Sequence, residues 1–416
     1  MTTKCGWTTM FLLFVAFGAR GQEAGSGVSL PVTISGNARY SGSSTDGNSG
    51  AGGFRALASP GVQLGSHWFG YAVLGVESKD YQSYSSGFDD DSPMRFTFLQ
   101  GYAGYRAEFK SATLLLKGGR LVTAFGHYPL DYDDAKAPLI DPPPLYSINL
   151  PLRPDQLPCN LANVVWQSYD APVDFDCGGS TAERYGLVPA TIYGIPGLEA
   201  QLSWNRLDAR LQMTNSSPAN PQSLTSGSQF VQFSGGAGYS VRGGLHVGVS
   251  GYRGPYLERT LAGLIPAGRS LQDFKASGFG VDAQWSGGPW SAEGEWQHFR
   301  FDEPGFVQSP SMQGAYVQVK RIISPRLFAA VRSTLEQPGG ATDGFGAATS
   351  QIDAHREIEE LGIGYRISRV ELLKVGVTFS EANEWWLGSG YWPSERRVGL
   401  QVQLVTSFAA LSKGFH

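Results

Sequence analysis

A carboxylate-rich stretch in the first half of the chain carries the side chains with the clearest chemistry. Residues 127–184 hold nine acidic side chains and three basic ones. Carboxylates that face fixed cations across a water-filled passage bias which ions can pass. The candidate selectivity residues are four aspartates of this stretch and four arginines of other segments: Asp131, Asp133, Asp134, Asp141, Arg39, Arg106, Arg120 and Arg210.

The elements that must position these side chains show an alternation of apolar and polar residues. In residues 398–408 every second position is Val, Leu, Thr or Phe, and about sixteen segments repeat the pattern. A period of two places each set on one face of a strand. No helical segment is available to cover the apolar face. The pattern therefore predicts an all-β fold, a transmembrane antiparallel up-and-down β-barrel of about 16 strands with lipid outside and water inside.

Short and long connections alternate along the chain, as in bacterial outer-membrane barrels. An even strand number places both chain ends on the short-turn, periplasmic side. Pro60 weakens residues 54–64 as a strand, because proline lacks a backbone N–H. The tight turns are predicted at Gly65-Ser66, Lys110-Ser111, Asn205-Arg206, Arg242-Gly243, Gly287-Gly288, Ser324-Pro325 and Ser368-Arg369.

Aromatic residues of the apolar parity collect near the short-turn end. Amphipathic rings are favoured at a membrane interface, so this placement predicts an aromatic girdle. Aromatic residues of a soluble sandwich core would scatter along the strands instead. The predicted girdle comprises Trp68, Phe109, Trp204, Tyr239, Trp285, Trp290, Tyr365 and Phe408.

The opposite parity carries charges of both signs, which predicts a wet lumen, although some of these charges could serve only to pair with each other. The barrel partners are accordingly outer-membrane lipid and small hydrophilic solutes or ions. The formal net charge of −4 comes without a basic patch, which argues against a nucleic-acid partner. The lumenal charges include Arg55, Lys320, Arg332, Arg366, Lys374 and Arg397 with Glu108, Asp208, Asp282, Glu293, Glu295 and Glu360.

The N-terminus reads as an export signal. Lys4 precedes an apolar run at residues 10–17, and Ala19 and Gly21 supply small residues before a cleavage site. Residues 1–21 are therefore predicted to be removed, leaving 22–416 as an outer-membrane barrel of a Gram-negative bacterium. Cys159 and Cys177 then form an even pair in an exported chain, which predicts one disulfide.

The long connection at 127–184 supports two interpretations. Pro142-Pro143-Pro144 and the predicted disulfide would stiffen it, and a long ordered segment usually has a function. Folded into the lumen, it would constrict the pore. Alternatively, it is a surface loop that faces outward.

Residues 117–126, Lys-Gly-Gly-Arg-Leu-Val-Thr-Ala-Phe-Gly, resemble the strand end that precedes the internal loop of Gram-negative porins, closest to the phosphate-selective porin O/P-like group. The resemblance implies passive diffusion of small hydrophilic solutes, usually through a homotrimer. Ala124 stands where that group often has proline, and the chain has no concentrated lysine ladder, so phosphate selectivity does not carry over. A bulge at Gly118-Gly119 is required if Lys117 and Arg120 both face the lumen.

An enzyme is not expected. The six histidines show no metal-ligand spacing, so no metal and no cofactor is predicted, and no nucleophile elbow or phosphate loop is present. The sequence predicts a porin for passive diffusion. The alternative is a narrow or plugged barrel that acts as a surface-binding or structural scaffold, for which Trp385, Trp386 and Trp392 would suit partner contact.

Overall fold

The strands of the computed structural model follow one another around a single large sheet. The second strand is interrupted at Ser59-Pro60 and is counted once. The structure describes residues 27–43, 47–78, 81, 94–127, 133–146, 152, 154–157, 194–215, 230–338, 342–343, 355–383, 385–386, 390–391 and 395–413. The strands are β1 Gly27–Ser43, β2 Gly47–Ala58 continued by Gly61–Leu64, β3 Trp68–Ser78, β4 Met94–Glu108, β5 Ala112–Leu121, β6 Ile195–Trp204, β7 Leu207–Thr214, β8 Gln232–Ser240, β9 Leu245–Pro255, β10 Lys275–Gly287, β11 Trp290–Phe301, β12 Ser311–Ser324, β13 Leu327–Pro338, β14 His355–Arg366, β15 Glu371–Asn383 and β16 Glu395–Lys413.

The sheet is closed. Each strand pairs antiparallel with its neighbours in sequence, and β1 pairs with both β2 and β16. Val32 shows the closure, because it lies opposite Ala58 on one side and Phe408 on the other. The predicted sixteen-stranded up-and-down barrel is confirmed. Among the described residues, no helix is long and apolar enough to cross a membrane.

Two prolines interrupt the seam between β1 and β2 without shifting its register. Pro31 and Pro60 cannot donate to the ladder. The pairing nevertheless continues from Val32 opposite Ala58 to Ser29 opposite Gly61. The backbone N–H of Ser59 donates to the Pro31 carbonyl at 2.9 Å. Strand β2 therefore survives Pro60 as two segments in one line.

The two faces of the wall differ as the alternation predicts. Along β16, Leu400, Val402 and Leu404 are exposed on the outside, whereas Gln401 and Gln403 are buried inside. The eight rings of the predicted girdle are all exposed, with exposed fractions from 41% to 61%. Each ring lies beside a short turn or at the same end of its strand, an arrangement typical of membrane barrels, and its contact with a membrane interface stays a prediction.

Small elements lie outside the main sheet. In the part of the chain that the structure describes, 3₁₀ turns lie at Pro144–Tyr146, Arg259–Leu261 and Leu271–Asp273. Phe306–Gln308 pairs with Thr342–Asp343, and Trp385–Trp386 pairs with Gly390–Tyr391. Pro144–Tyr146 belongs to the long connection after β5. The other small elements lie in the remaining long connections.

An arginine scan of β15 tests the two faces. Val375 faces outward and is exposed, so Val375→Arg is expected to destabilise the barrel in a bilayer by about 2–4 kcal/mol. Thr378 has the lumenal parity and is partly exposed, so Thr378→Arg in the same strand should cost much less. The measurement is the free energy of unfolding in lipid vesicles, and equal costs at the two positions would contradict the assignment of faces.

Candidate functional site

The connection between β5 and β6 spans residues 122–194, longer than predicted, and enters the lumen at its start. Gln212 on β7 donates from Nε2 to the Val122 carbonyl at 2.6 Å and accepts from the Ala124 N–H at 2.8 Å. The Gly126 N–H donates to Ser250 Oγ on β9 at 3.0 Å. Gly126 has φ +76°, and a Cβ there would collide with the Tyr146 hydroxyl, so glycine is required.

The segment at residues 133–146, the lumenal loop, is anchored by a buried carboxylate. Asp134 accepts two hydrogen bonds from the Arg55 guanidinium on β2, at 2.5 and 3.1 Å. Ser35 Oγ on β1 donates to the same carboxylate at 2.6 Å, and the Tyr81 hydroxyl donates at 2.8 Å. Burial alone would raise the pKa of Asp134, but the guanidinium and the donated hydrogen bonds hold it below its ordinary value.

Two wall cations hold the backbone of the lumenal loop. Lys374 Nζ on β15 donates to the carbonyls of Asp134 at 2.7 Å and Leu139 at 3.2 Å. Arg332 on β13 donates to the Asp141 carbonyl at 2.8 Å while its Nε pairs with Glu360 at 2.5 Å. Arg332 and Lys374 are almost completely buried. The lumenal loop therefore lies against the wall along several neighbouring strands.

The second buried aspartate contacts the wall near the β1–β16 seam. Asp141 accepts from Gln401 Nε2 at 2.6 Å, and its other oxygen lies 3.9 Å from Arg39 Nη2. Arg39 also donates to the Tyr81 carbonyl, as does Asn37. These contacts tie the lumenal loop and residue 81 to the same part of the wall.

The end of the lumenal loop packs into an apolar cluster on the inner wall. The Tyr146 hydroxyl donates to Glu295 at 2.7 Å and accepts from Gln297 at 2.9 Å. Phe125 stacks edge-on against Tyr252, with ring centroids 5.0 Å apart, and against Phe299 at 5.5 Å. The cluster continues toward the outer end through Tyr256, Leu257, Leu261, Leu271, Phe274, Phe301 and Met312. Part of the lumen beside β9–β12 is thus filled by apolar side chains.

The wall of β5–β7 carries its own charged network. Glu199 on β6 accepts from Lys117 Nζ at 2.6 Å and from Arg210 Nη2 at 2.9 Å. Lys117 also donates to Gln201 at 3.1 Å and lies 5.3 Å from the centre of the Tyr102 ring. Lys117 and Arg210 remain partly exposed while Glu199 is buried. This face therefore presents two cations around one buried carboxylate.

The structure separates the eight candidate selectivity residues. Asp131 lies outside the described residues. Asp134 and Asp141 are buried anchors, and Asp133 is partly exposed, with its carboxylate accepting from the Ala135 N–H within its own turn at 3.0 Å. Arg39 and Arg210 face the lumen at the level of the loop contacts. Arg106 has the lumenal parity near the short-turn end, 3.9 Å from Glu108.

The prediction for Arg120 is wrong. The ladders on both sides of β5 run without a register shift, with Arg120 opposite Gly101 and Pro196. The bulge that a lumenal Arg120 would require at Gly118-Gly119 is therefore absent, and alternation places Arg120 on the face opposite Lys117. Arg120 does not belong to the lumenal set.

Several contacts of the site were not predicted from the sequence. Arg55, Arg332 and Lys374 have the lumenal parity, which predicts the face on which they lie but not the residues that they contact. Ser35 and Tyr81 carry no signal of their own. Cys159 and Cys177 lie outside the described residues, so their disulfide stays a prediction, as does the export signal at 1–21. Among the described residues, no group of three His, Cys, Asp or Glu side chains is placed to hold a metal ion.

A buried carboxyl also joins two of the connections at the outer end. Glu303, two residues beyond β11, accepts a hydrogen bond from the Tyr256 hydroxyl, just beyond β9. Burial raises the pKa of Glu303 to about 8, and the hydrogen bond from Tyr256 opposes only part of that rise. Both side chains are surrounded by the outer part of the apolar cluster.

Solved structures of outer-membrane proteins share this architecture. The outer membrane channel DcaP of Acinetobacter baumannii matches with a TM-score of 0.54 and 12% identity, covering 93% of this chain and 99% of that one. The chain has a porin-like barrel fold. OmpF of Salmonella typhi, in complex with daunomycin, matches with a TM-score of 0.51 and 11% identity, covering 91% and 97%. OmpT of Vibrio cholerae, an outer membrane protein, gives 0.51 and 8%, covering 93% and 99%.

These identities are low enough that the likeness establishes the fold alone. No protein-family model matches the chain, and no curated protein sequence matches it. The neighbours support a porin-like barrel, whereas the resemblance to the phosphate-selective group rests on residues 117–126 and on the hairpin of residues 198–215.

Removal of the Asp134 carboxylate tests the anchor. Asp134→Ala leaves the buried Arg55 without its counter-charge and is expected to cost about 3–5 kcal/mol of local stability. Hydrogen exchange of residues 133–146 should rise sharply in this variant. Asp133→Ala is the matched control, because its carboxylate is partly exposed, and it should change exchange little. Equal protection in both variants would contradict the anchoring role.

The pH dependence of the outer connections tests Glu303. Its pKa in the folded protein lies above the unfolded value, so the folded state binds the extra proton. The contribution of Glu303 to the free energy of unfolding is fully present below about pH 4.5 and is lost as the pH rises toward 8. Hydrogen exchange of residues 256–274 and 302–310, corrected for its intrinsic pH dependence, should therefore increase over that window. Glu303→Gln should abolish the increase, and an unchanged pH profile in that variant would contradict the assignment.

Proposed function

We propose that the chain is an outer-membrane porin of a Gram-negative bacterium that lets small hydrophilic solutes or ions diffuse passively through its lumen. The observation that carries the proposal is the position of the lumenal loop. Its described contacts lie on β1, β2 and β11–β16, so it narrows the barrel from one side. The inner wall at β5–β7 keeps partly exposed polar and charged side chains, which require water.

Selectivity in this proposal comes from the wall cations rather than from the buried aspartates. Asp134 and Asp141 are nearly inaccessible, and Asp134 is neutralised by direct contact with Arg55 and by the nearby Lys374. Lys117 and Arg210 face the lumen with a single carboxylate between them, and Arg39 is partly exposed on the loop side. Such an arrangement favours anions on the β5–β7 side. Asp134 and Asp141 then hold the lumenal loop in place and do not act on the passing ion.

A narrow barrel serving as a scaffold is the second candidate. The specific observation in its favour is the apolar cluster of Phe125, Tyr146, Tyr252 and Phe299, which occupies lumenal space beside β9–β12. A plugged barrel would give no swelling of liposomes in isotonic sugar, whereas a porin admits small sugars. Catalysis is no part of either proposal, and a homotrimer remains a prediction from the resemblance.

Planar-bilayer recording of the purified protein tests the porin function. Discrete open steps are expected, and their absence would rule the proposal out. In a salt gradient, the double variant Lys117→Gln/Arg210→Gln leaves Glu199 unbalanced and should shift the reversal potential toward cation preference.

Arg253→Gln is the matched control for this experiment, because Arg253 is exposed on the outward face of β9. It should leave the reversal potential unchanged. If the double variant conducts normally with an unshifted reversal potential, Lys117 and Arg210 have no role in selectivity.

A further inference from the structure

The short turns of the barrel form a ring of exposed cations. Five of the seven turns carry one Lys or Arg each, and none of the seven contains Asp or Glu. The side chains of this ring, called the periplasmic rim below, are all exposed: Lys110, Arg206, Arg242, Arg326 and Arg369.

None of the five cations makes an ion pair within 4 Å with a described residue. Glu108 and Asp208, the carboxylates close in sequence to Lys110 and Arg206, lie beside other basic side chains. Glu108 lies 3.9 Å from Arg106, and Asp208 lies 3.7 Å from His246. The rim therefore carries positive charge that the described part of the chain does not neutralise.

The rim lies directly against the aromatic girdle. Lys110 follows Phe109, Arg206 comes two residues after Trp204, and Arg369 comes four after Tyr365. Arg321 at the end of β12 stacks on the outward-facing Trp290, with 4.9 Å from its guanidinium carbon to the ring centre. Because such rings mark the boundary of the hydrocarbon, the cations lie at the depth of lipid phosphates.

The opposite end of the barrel has the opposite charge. The connection after β3 contains Asp80, Asp89, Asp90 and Asp91 with only Lys79 as a cation, and the connection after β11 contains Asp302 with no cation. These two connections therefore contrast with the seven short turns, five of which contain Lys or Arg and none of which contains a carboxylate. A general excess of surface lysine and arginine cannot explain it, because the chain as a whole is acidic.

We propose that the periplasmic rim binds the phosphate groups of anionic phospholipids, such as phosphatidylglycerol, in the inner leaflet of the outer membrane. Turns of two to four residues cannot reach far from the bilayer, so the cations meet headgroups before any periplasmic polymer. Spread around the circumference, they bind a shell of lipids rather than one molecule. The inference rests on the membrane placement within the proposed function and does not depend on conduction.

Tryptophan quenching by brominated lipids tests the proposal on the full mature chain in vesicles. The probes are brominated phosphatidylglycerol and brominated phosphatidylcholine, and Trp68, Trp204, Trp285 and Trp290 report lipid at the rim. The wild-type protein should prefer the anionic lipid at low salt. The variant with Lys110, Arg206, Arg242, Arg326 and Arg369 changed to glutamine should lose that preference, by about tenfold or more.

Arg253→Gln/Arg300→Gln at the outer end is the matched control and should keep the preference. The proposal is overturned if the wild type shows no preference or if the rim variant retains it. It is also overturned if the rim variant instead loses binding to soluble peptidoglycan fragments with its lipid preference intact. Bilayer conductance of the rim variant separates this outcome from the porin proposal, since conductance should be unchanged.

Discussion

Closure of the sheet is the constraint on which the rest of the structure depends. Because β1 pairs with β16 over most of its length, no strand edge is left unpaired in the main sheet. A closed ladder satisfies the backbone internally, which is the condition for crossing a bilayer with strands. The side chains can then divide between two solvents. The apolar outer belt with its aromatic border and the polar lumen both follow from that division.

Inside the closed wall, ionic contacts turn a long connection into a fixed element. Burying Asp134, Arg55, Lys374, Arg332 and Glu360 would be costly for isolated charges. Each is instead paired or hydrogen-bonded several times, and two of the cations hold backbone carbonyls that no strand satisfies. Asp134 and Asp141, two of the carboxylates of the stretch, thus serve its attachment. Among the described residues, the wall cations Lys117 and Arg210 are the side chains to which the proposed porin function assigns selectivity.

The strands of the wall and the face on which each side chain lies were largely predictable, because that face depends on little more than whether the position is odd or even along the strand. Alternation located the sixteen strands, and the turn residues located the tight end. Which side chains contact each other was not predictable from the sequence. Arg55 contacts Asp134, 79 residues away in the chain, and Gln401 contacts Asp141, 260 residues away. Such pairs depend on barrel stagger and on the path of the loop. The lumenal placement of Arg120 failed for a local reason: it required a bulge at Gly118-Gly119, but the ladder continues through both glycines without a register shift.

A nitroxide scan of residues 398–406 in lipid bilayers tests the division of the two faces most directly. Molecular oxygen concentrates in hydrocarbon, so its collision rate with each label reports contact with acyl chains. The account predicts a period of two, with maxima at Val398, Leu400, Val402 and Leu404 and minima at Gly399, Gln401 and Gln403. A flat profile, or maxima at the two glutamines, would contradict it.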